Sequence, residues 1–179
     1  MTSNLINLLT IVRMMLGLII FILLTMPEKY SLALFLFFIA GISDYFDGYL
    51  ARKYNLVTQM GEILDPIADK ILILFILFGL SVNLSSYFIA FIGSMIITRE
   101  IWIGALRDFN SRMGKSDLTQ VTFLAKIKTA IQLFTLSVYL LGLAINNMLL
   151  IIFGDIFLLI SFFITIYTGY IYTYNSFRN

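Results

Sequence analysis

Six long apolar stretches occupy most of the chain and limit its fold more than any other feature. They cover about residues 6–25, 31–50, 63–82, 84–107, 120–145 and 147–172, separated by short joints that contain polar residues, Gly or Pro. About 20 helical residues cross the hydrocarbon core of a bilayer, so each stretch is long enough for one crossing. The pattern predicts an all-α integral membrane protein with six transmembrane helices, folded as a single domain over residues 1–179.

The composition agrees with a membrane protein and excludes several kinds of chemistry. The chain is 60% hydrophobic and only 12% charged. It contains no cysteine and no histidine, which excludes disulfides, thiolate metal sites and histidine bases. A net charge of +2, spread along the chain, gives no basic surface for nucleic acid. Any chemistry must therefore use Asp, Glu, Lys, Arg and hydroxyl groups.

The positions of the basic residues predict the orientation in the membrane, because Lys and Arg near helix ends are kept on the cytoplasmic side. Arg52 and Lys53 follow the second stretch, five more basic residues lie between Arg107 and Lys128, and Arg178 lies in the tail. We therefore expect both termini in the cytoplasm. The first stretch has no small-residue cleavage site, so we expect a retained helix. Without an organelle-targeting extension, a bacterial plasma membrane is favoured for this multi-pass chain.

Acidic residues are concentrated where the chain is apolar enough to span a membrane. Asp44 and Asp47 are three residues apart, and Asp65 and Asp69 are four apart, so each pair lies on one helix face. Charge at membrane depth is costly unless it is paired or bound to metal. Ligands that are all oxygen favour Mg²⁺ or Mn²⁺ over Zn²⁺. The four carboxylates predict a metal site, expected to hold two ions.

Small residues and one arginine accompany these acids at helical spacing. Gly48 and Ala51 lie about one turn beyond the first pair, and Gly61 lies one turn before Asp65, so a flat group has room beside the metals. Arg52 supplies a cation suited to phosphate. Two other interpretations of the acids are a chance set of buried helix contacts and a divalent-metal transporter. The transporter needs neither the arginine nor the glycines.

The complete pattern, Asp44-x2-Asp47-Gly48-x2-Ala51-Arg52-x8-Gly61-x3-Asp65-x3-Asp69, resembles the signature of the CDP-alcohol phosphotransferase family at every fixed position. The resemblance implies a six-helix membrane enzyme, usually a homodimer, that transfers a phosphatidyl or substituted phosphoryl group from a CDP-linked donor to an alcohol and releases CMP. It also implies a role for each matching residue. The metal ligands would be Asp44, Asp47 and Asp65. Asp69 would be the base that deprotonates the acceptor, and it would also lie near a metal and be able to bind it. The residues lining the cytidine diphosphate would be Gly48, Arg52, Gly61 and Thr58.

Segments outside the signature are similar to bacterial members of this family that use CDP-diacylglycerol and glycerol 3-phosphate to make phosphatidylglycerophosphate. The first is Asn7-x2-Thr10-x2-Arg13, with Ile6 where the family pattern has proline. Residues 98–100, 105–109 and 123–129 are similar to the same group. The resemblance implies that Asn7 and Thr10 contact the CDP-diacylglycerol, and that glycerol 3-phosphate is the acceptor.

Basic residues in the later stretches fit an acceptor that carries a phosphate. Arg99 lies within an apolar stretch, Arg107 follows two turns later, and Lys126 and Lys128 open the next stretch, so we expect a cationic pocket that binds the acceptor phosphate. Glu100 is a candidate counter-ion for Arg99 or Arg107. The alternative for the lysines is an interaction with lipid headgroups. Inositol phosphate and serine remain alternative acceptors, although serine would leave the pocket without its phosphate.

Overall fold

The computed structural model describes residues 3–53, 59–115 and 123–178. Within these ranges it describes every side chain except those of residues 3–7, 45, 47–52, 59, 60 and 62. These residues form six α-helices and no strand, which confirms the all-helical prediction. The helices are α1 (Ser3–Leu24), α2 (Tyr30–Lys53), α3 (Gln59–Asn83), α4 (Tyr87–Arg112), α5 (Phe123–Ala144) and α6 (Met148–Arg178).

Helix length and composition agree with a membrane protein. Within the described part of the chain, α4, α5 and α6 are each long and apolar enough to cross a membrane. Two shorter apolar segments, Leu8–Leu24 and Tyr30–Asp44, lie in α1 and α2. The last helix continues to Arg178, beyond the apolar stretch that ends near residue 172. The charged residues that interrupt the apolar pattern include Arg13 in α1, and Asp44, Asp47, Arg52, Asp65 and Asp69 of the predicted site in α2 and α3.

The six helices form a closed ring. Each helix packs against two neighbours in the order α1, α3, α4, α6, α5, α2, and a smaller contact joins α3 and α5 across the ring. In a bilayer, close packing rather than exclusion of water holds such helices together. All six helices contribute to the buried apolar core, which includes Ile20, Leu24, Phe37, Ala40, Ile76, Leu80, Ile96, Leu136, Tyr139 and Leu158.

Hydrogen bonds between helices show their relative directions. Asn83 donates to the carbonyl of Leu24 at 2.8 Å and to the hydroxyl of Tyr30 at 2.9 Å, so the ends of α1 and α3 lie beside the start of α2. On the other side of the ring, Arg99, Trp102 and Asn110 of α4 donate in turn to Thr168, Thr173 and Ser176 of α6, which shows that α4 and α6 are parallel. The signature in α2 and α3 and the basic residues of α4 and α5 consequently lie toward the same end of the ring.

A glycine allows α1 and α3 to pack closely beside the signature. A Cβ atom added at Gly17 would lie 3.2 Å from the Cα of Leu72, so a larger side chain would push the two helices apart. Arg13 lies one turn before Gly17, and Asp69 lies nearly one turn before Leu72. The close approach therefore brings these two charged side chains together.

Candidate active site

The predicted acid-rich region lies where α1, α2 and α3 come together. Arg13 Nη1 lies 2.6 Å from Asp44 Oδ1 and 3.2 Å from Asp69 Oδ1, so one guanidinium nitrogen contacts carboxylates from two helices. About one turn earlier in α1, the Thr10 hydroxyl donates a hydrogen bond to Asp65 Oδ1 at 2.9 Å. Three of the four carboxylates expected to bind metal therefore converge on α1, which lies between α2 and α3 in the ring.

The role of Arg13 was not predicted from the sequence. Its side chain is only 1% exposed, whereas those of Asp44 and Asp69 are 48% and 50% exposed. A buried guanidinium needs anionic partners, and here it leaves both carboxylates accessible on their other sides. The sequence interpretation used Arg13 only as part of an N-terminal motif. The signal was available, because an arginine at membrane depth needs an explanation as much as an aspartate does.

The carboxylates fit a divalent cation. They supply hard oxygen donors, which suit Mg²⁺ or Mn²⁺, and the guanidinium between Asp44 and Asp69 indicates a position where positive charge is stabilised. Among the described side chains, no group of three acids forms a complete metal-binding cluster. Asp47, the fourth expected ligand, lies in α2 with its side chain outside the described set.

The residues predicted to bind the CDP-linked donor are described only in part. Gly61 is buried in α3, one turn before Asp65. Thr10 is also buried, and its hydroxyl is directed to the Asp65 carboxylate. Four further predictions concern residues whose positions or side chains lie outside the description, namely Asn7, Gly48, Arg52 and Thr58. Their roles stay predictions.

A second charged cluster lies between α4 and α5 and has the opposite balance of charge. Glu100 Oε1 accepts a hydrogen bond from Arg99 Nη1 at 3.0 Å and also contacts Lys128 Nζ. Arg99 and Lys128 are both buried, and Glu100 is 17% exposed. Of the two counter-ions predicted for Glu100, Arg99 or Arg107, the ion pair formed is that with Arg99, and Lys128 is its second partner. One carboxylate therefore joins two cations, just as Arg13 joins two carboxylates.

One cavity connects the two charged clusters. Its volume is about 190 Å³, and it is lined by Asp69 of α3 together with Arg99, Arg107 and Lys128. Lys70, which the sequence interpretation did not use, also lines it. The carboxylate expected to act as a base and three of the four expected phosphate ligands therefore face a common space.

The fourth expected phosphate ligand lies elsewhere. Lys126 is exposed and is not part of the cavity wall. Lys128 lies two positions after it, a rotation of about 200° around the axis of α5, so the two side chains point about 160° apart. Only Lys128 is directed to the interior of the ring.

Helix α6 contributes contacts that the sequence interpretation missed. The Arg99 guanidinium donates from Nη2 to the Thr168 hydroxyl at 2.7 Å. The ring of Tyr172 lies 5.9 Å from Arg99 Cζ and 5.5 Å from Arg107 Cζ. A threonine and a tyrosine in an apolar helix give no sequence signal that separates them from residues facing lipid.

Comparison with known proteins gives relatives over most of the chain. A CDP-diacylglycerol–glycerol-3-phosphate 3-phosphatidyltransferase of Rickettsia bellii (strain RML369-C) is 41% identical over 175 residues, covering 95% of this chain and 93% of the relative. The protein of the same name from Rickettsia typhi (strain ATCC VR-144 / Wilmington) is 40% identical over 173 residues and 95% of each chain. That of Escherichia coli (strain K12) is 33% identical over 139 residues, covering 76% of each chain.

The model of one protein family also matches nearly the whole chain. It is that of the CDP-alcohol phosphatidyltransferases, and the match extends over residues 3–167. The matched region contains both charged clusters and the cavity between them, and members of the family are generally dependent on divalent metal ions. The signature, the helical fold and the relatives agree, and this chain belongs to the CDP-alcohol phosphatidyltransferase family.

Proposed function

We propose that this chain transfers the phosphatidyl group of CDP-diacylglycerol to glycerol 3-phosphate, giving phosphatidylglycerophosphate and CMP. The observation that carries the proposal is the shared cavity, in which a half-exposed carboxylate, Asp69, lies opposite the cations Arg99, Arg107 and Lys128. An acceptor with a hydroxyl at one end and a phosphate at the other needs this arrangement. The names of the relatives agree with it.

In this proposal, Asp69 accepts the proton of the acceptor hydroxyl as that oxygen attacks the phosphorus of the phosphatidyl group. The new bond joins the acceptor oxygen to phosphorus, and the bond from phosphorus to the CMP oxygen breaks. Asp69 contacts Arg13 through Oδ1, which fixes its carboxylate and leaves it partly exposed to receive the proton. The chain thereby holds the base in place.

The metal site is part of the same proposal. Two Mg²⁺ or Mn²⁺ ions, held by Asp44, Asp47, Asp65 and Asp69, would neutralise the pyrophosphate of the donor and the departing CMP. The Thr10 hydroxyl orients Asp65 for this role, and Arg13 orients Asp44 and Asp69. The cytidine diphosphate would lie along Asn7, Thr10, Gly48, Arg52, Thr58 and Gly61.

The acceptor phosphate is assigned to the basic side of the cavity. Arginine binds phosphate through paired N–H groups, and such charge-assisted hydrogen bonds are stronger than neutral ones. Lys128 is buried at the cavity wall and Lys126 is exposed outside it, so Lys128 is the better candidate ligand. Lys126 is better suited to a lipid headgroup.

The proposed setting is a bacterial plasma membrane, crossed by all six helices, with both termini and the cavity on the cytoplasmic side. The distribution of Lys and Arg supports this orientation. Both substrates are then accessible: the CDP-diacylglycerol from the bilayer and the glycerol 3-phosphate from the cytoplasm. We also propose that the protein acts as a homodimer, as the family resemblance implies.

The proposal is tested by offering several acceptors to one preparation. Purified protein in detergent, with CDP-diacylglycerol and Mg²⁺, receives glycerol 3-phosphate, inositol phosphate, serine or glycerol, and both CMP and the lipid product are measured. We expect product with glycerol 3-phosphate and little with the others. Lys128→Ala should reduce the use of glycerol 3-phosphate, and Lys126→Ala is its matched control. Equal rates with serine or glycerol would contradict a phosphate-binding acceptor site.

A further inference from the structure

Helix α6 contacts both arginines of the basic cluster without contributing a charge of its own there. Between Asp155 and Arg178 its sequence contains no charged residue. Yet Thr168 and Tyr172, which are each 2% exposed, lie against Arg99, and Tyr172 also lies against Arg107. These contacts have no part in the mechanism derived above.

The hydrogen bonds of Thr168 fix the direction of one edge of the Arg99 guanidinium. The Thr168 hydroxyl donates to the backbone of α6, where the carbonyl oxygens of Ile164 and Thr165 lie 2.8 and 3.1 Å away, and it accepts from Arg99 Nη2 at 2.7 Å. The hydroxyl therefore has a defined orientation, with its proton on the backbone of α6. The other terminal nitrogen of Arg99, Nη1, contacts Glu100, which lines the cavity.

A glycine next to Thr168 leaves space for this arginine. A Cβ atom added at Gly169 would lie 2.9 Å from Arg99 Nε and 3.0 Å from Arg99 Cγ. Both atoms are close to the middle of the side chain, so a methyl group there would displace the whole guanidinium. Gly169 thus lets Arg99 lie flat on the backbone of α6.

The ring of Tyr172 lies near two guanidiniums at once. Its centroid is 5.9 Å from Arg99 Cζ and 5.5 Å from Arg107 Cζ, within the range at which a cation is attracted by an aromatic face. The two guanidiniums carry like charges and repel each other, and a ring that attracts both reduces that cost. The tyrosine therefore helps to hold the two arginines at a fixed spacing.

We propose that Thr168, Gly169 and Tyr172 are positioning residues of the acceptor site: they set the orientation of Arg99 and Arg107 so that both guanidiniums meet one phosphate group. This inference rests on the proposed function for the assignment of glycerol 3-phosphate as the acceptor. Since a displaced guanidinium loses the geometry of paired hydrogen bonds, changes at these positions alter acceptor affinity and leave donor affinity unchanged.

The test compares Thr168→Val with Thr165→Val. Thr165 lies about one turn earlier in α6, is fully buried, and its hydroxyl has no hydrogen-bond partner, so it is a matched control. We expect Thr168→Val to raise the KM for glycerol 3-phosphate about three- to tenfold, less than the direct loss of a hydrogen bond to a charged group, because Thr168 acts only through Arg99. The KM for CDP-diacylglycerol should change less than about twofold, and Thr165→Val should resemble the wild type.

Tyr172 and Gly169 provide further comparisons. Tyr172→Leu should raise the KM for glycerol 3-phosphate, whereas Tyr172→Phe should keep most of the wild-type affinity because it retains the ring. Tyr170→Leu, at an exposed position, is the control. Gly169→Ala should act in the same direction as Tyr172→Leu. In an Arg99→Ala background, Thr168→Val should have no further effect, because its only proposed role is to orient that arginine.

A second readout separates this inference from the proposed function. The thermal unfolding midpoint in detergent is measured with inorganic phosphate and with chloride at equal ionic strength. Phosphate should raise the midpoint of the wild type and of Thr165→Val more than that of Thr168→Val, whichever acceptor the enzyme uses. Equal phosphate responses, additive effects of Thr168→Val and Arg99→Ala, or equal changes in both KM values would overturn the positioning role. If phosphate raises the midpoints as predicted for all three proteins but the wild type does not use glycerol 3-phosphate, only the proposed function is contradicted.

Discussion

The two charged clusters are built in the same way with charges of opposite sign. Where α1, α2 and α3 meet, one buried cation, Arg13, contacts two carboxylates, Asp44 and Asp69. Between α4 and α5, one carboxylate, Glu100, contacts two cations, Arg99 and Lys128. Each bridging residue neutralises only part of its cluster. The first cluster keeps an excess of negative charge, which a metal ion can neutralise. The second keeps an excess of positive charge, which a phosphate group can neutralise.

The difference explains how a small helical ring handles two strongly charged substrates in a membrane. Charges of one sign repel each other at low dielectric, so a cluster of four acids or of three bases is costly while it is empty. An internal bridge of the opposite sign lowers that cost without filling the site. Substrate and metal binding then complete the neutralisation.

The largest expected effect comes from removing charge from the acid side. Asp44→Asn, Asp47→Asn and Asp65→Asn should each lower turnover by about 10³-fold or more, because each removes a carboxylate from a shared cation site. CMP release is the measurement, with size-exclusion chromatography to show that each variant folds. Asp155→Asn is the control, since Asp155 accepts from Tyr139 at 2.6 Å outside the cavity lining. Near-normal rates at ordinary Mg²⁺ would disprove the shared site.

Asp69→Asn should differ in kind from the other three. We expect kcat to fall by about 10²- to 10⁴-fold, the usual contribution of a general base, while much of the CDP-diacylglycerol affinity remains. Donor binding, measured by isothermal titration in detergent, distinguishes a base from an essential ligand. Loss of binding as complete as in Asp47→Asn would assign Asp69 to the metal alone.

A smaller effect is expected on the basic side. Arg99→Ala should raise the KM for glycerol 3-phosphate by roughly tenfold or more, since a hydrogen bond to a charged group contributes about 1.5–3 kcal/mol. Arg99→Lys should recover part of the loss, because an ammonium lacks the planar fork of the guanidinium. Lys126→Ala, at an exposed position outside the cavity, is the control. Unchanged kinetics in Arg99→Ala would make the cluster a binding surface for lipid headgroups.

The smallest effects are expected from the bridging residues, and they should be opposite in kind. Arg13→Gln should increase the rise in unfolding temperature on adding Mg²⁺, because the carboxylates then depend on the external cation. Glu100→Gln should increase the rise on adding phosphate. Each change corresponds to about a threefold gain in ligand affinity, as expected for a partly solvated charge pair. If phosphate raised the unfolding temperature of Arg13→Gln more than that of Glu100→Gln, the opposite roles of the two bridging residues would be contradicted.

The helices and the acid signature could be predicted because they depend on local sequence. Apolar runs of sufficient length determine α1 to α6, and the spacing of Asp65 and Asp69 places both on one helix face. The exposure of Lys126 could also have been predicted, since helical geometry directs it away from Lys128.

The remaining features depend on the order of helices around the ring, which no local pattern contains. Arg13 meets Asp44 only because α1 lies between α2 and α3, and Thr168 meets Arg99 only because α6 lies beside α4. A buried arginine signals that partners exist but does not identify them. A neutral residue such as Thr168 gives no signal at all.

The claim that the two clusters bind their ligands independently is tested most directly by Mn²⁺ binding. It is measured by electron paramagnetic resonance on purified wild type, Asp65→Asn and Arg99→Ala. The account predicts that Asp65→Asn loses Mn²⁺ binding, whereas Arg99→Ala binds Mn²⁺ within about twofold of the wild type although its KM for glycerol 3-phosphate is raised roughly tenfold. Equal weakening of Mn²⁺ binding in both variants would show that the acid and basic clusters form a single electrostatic unit, which would contradict the account.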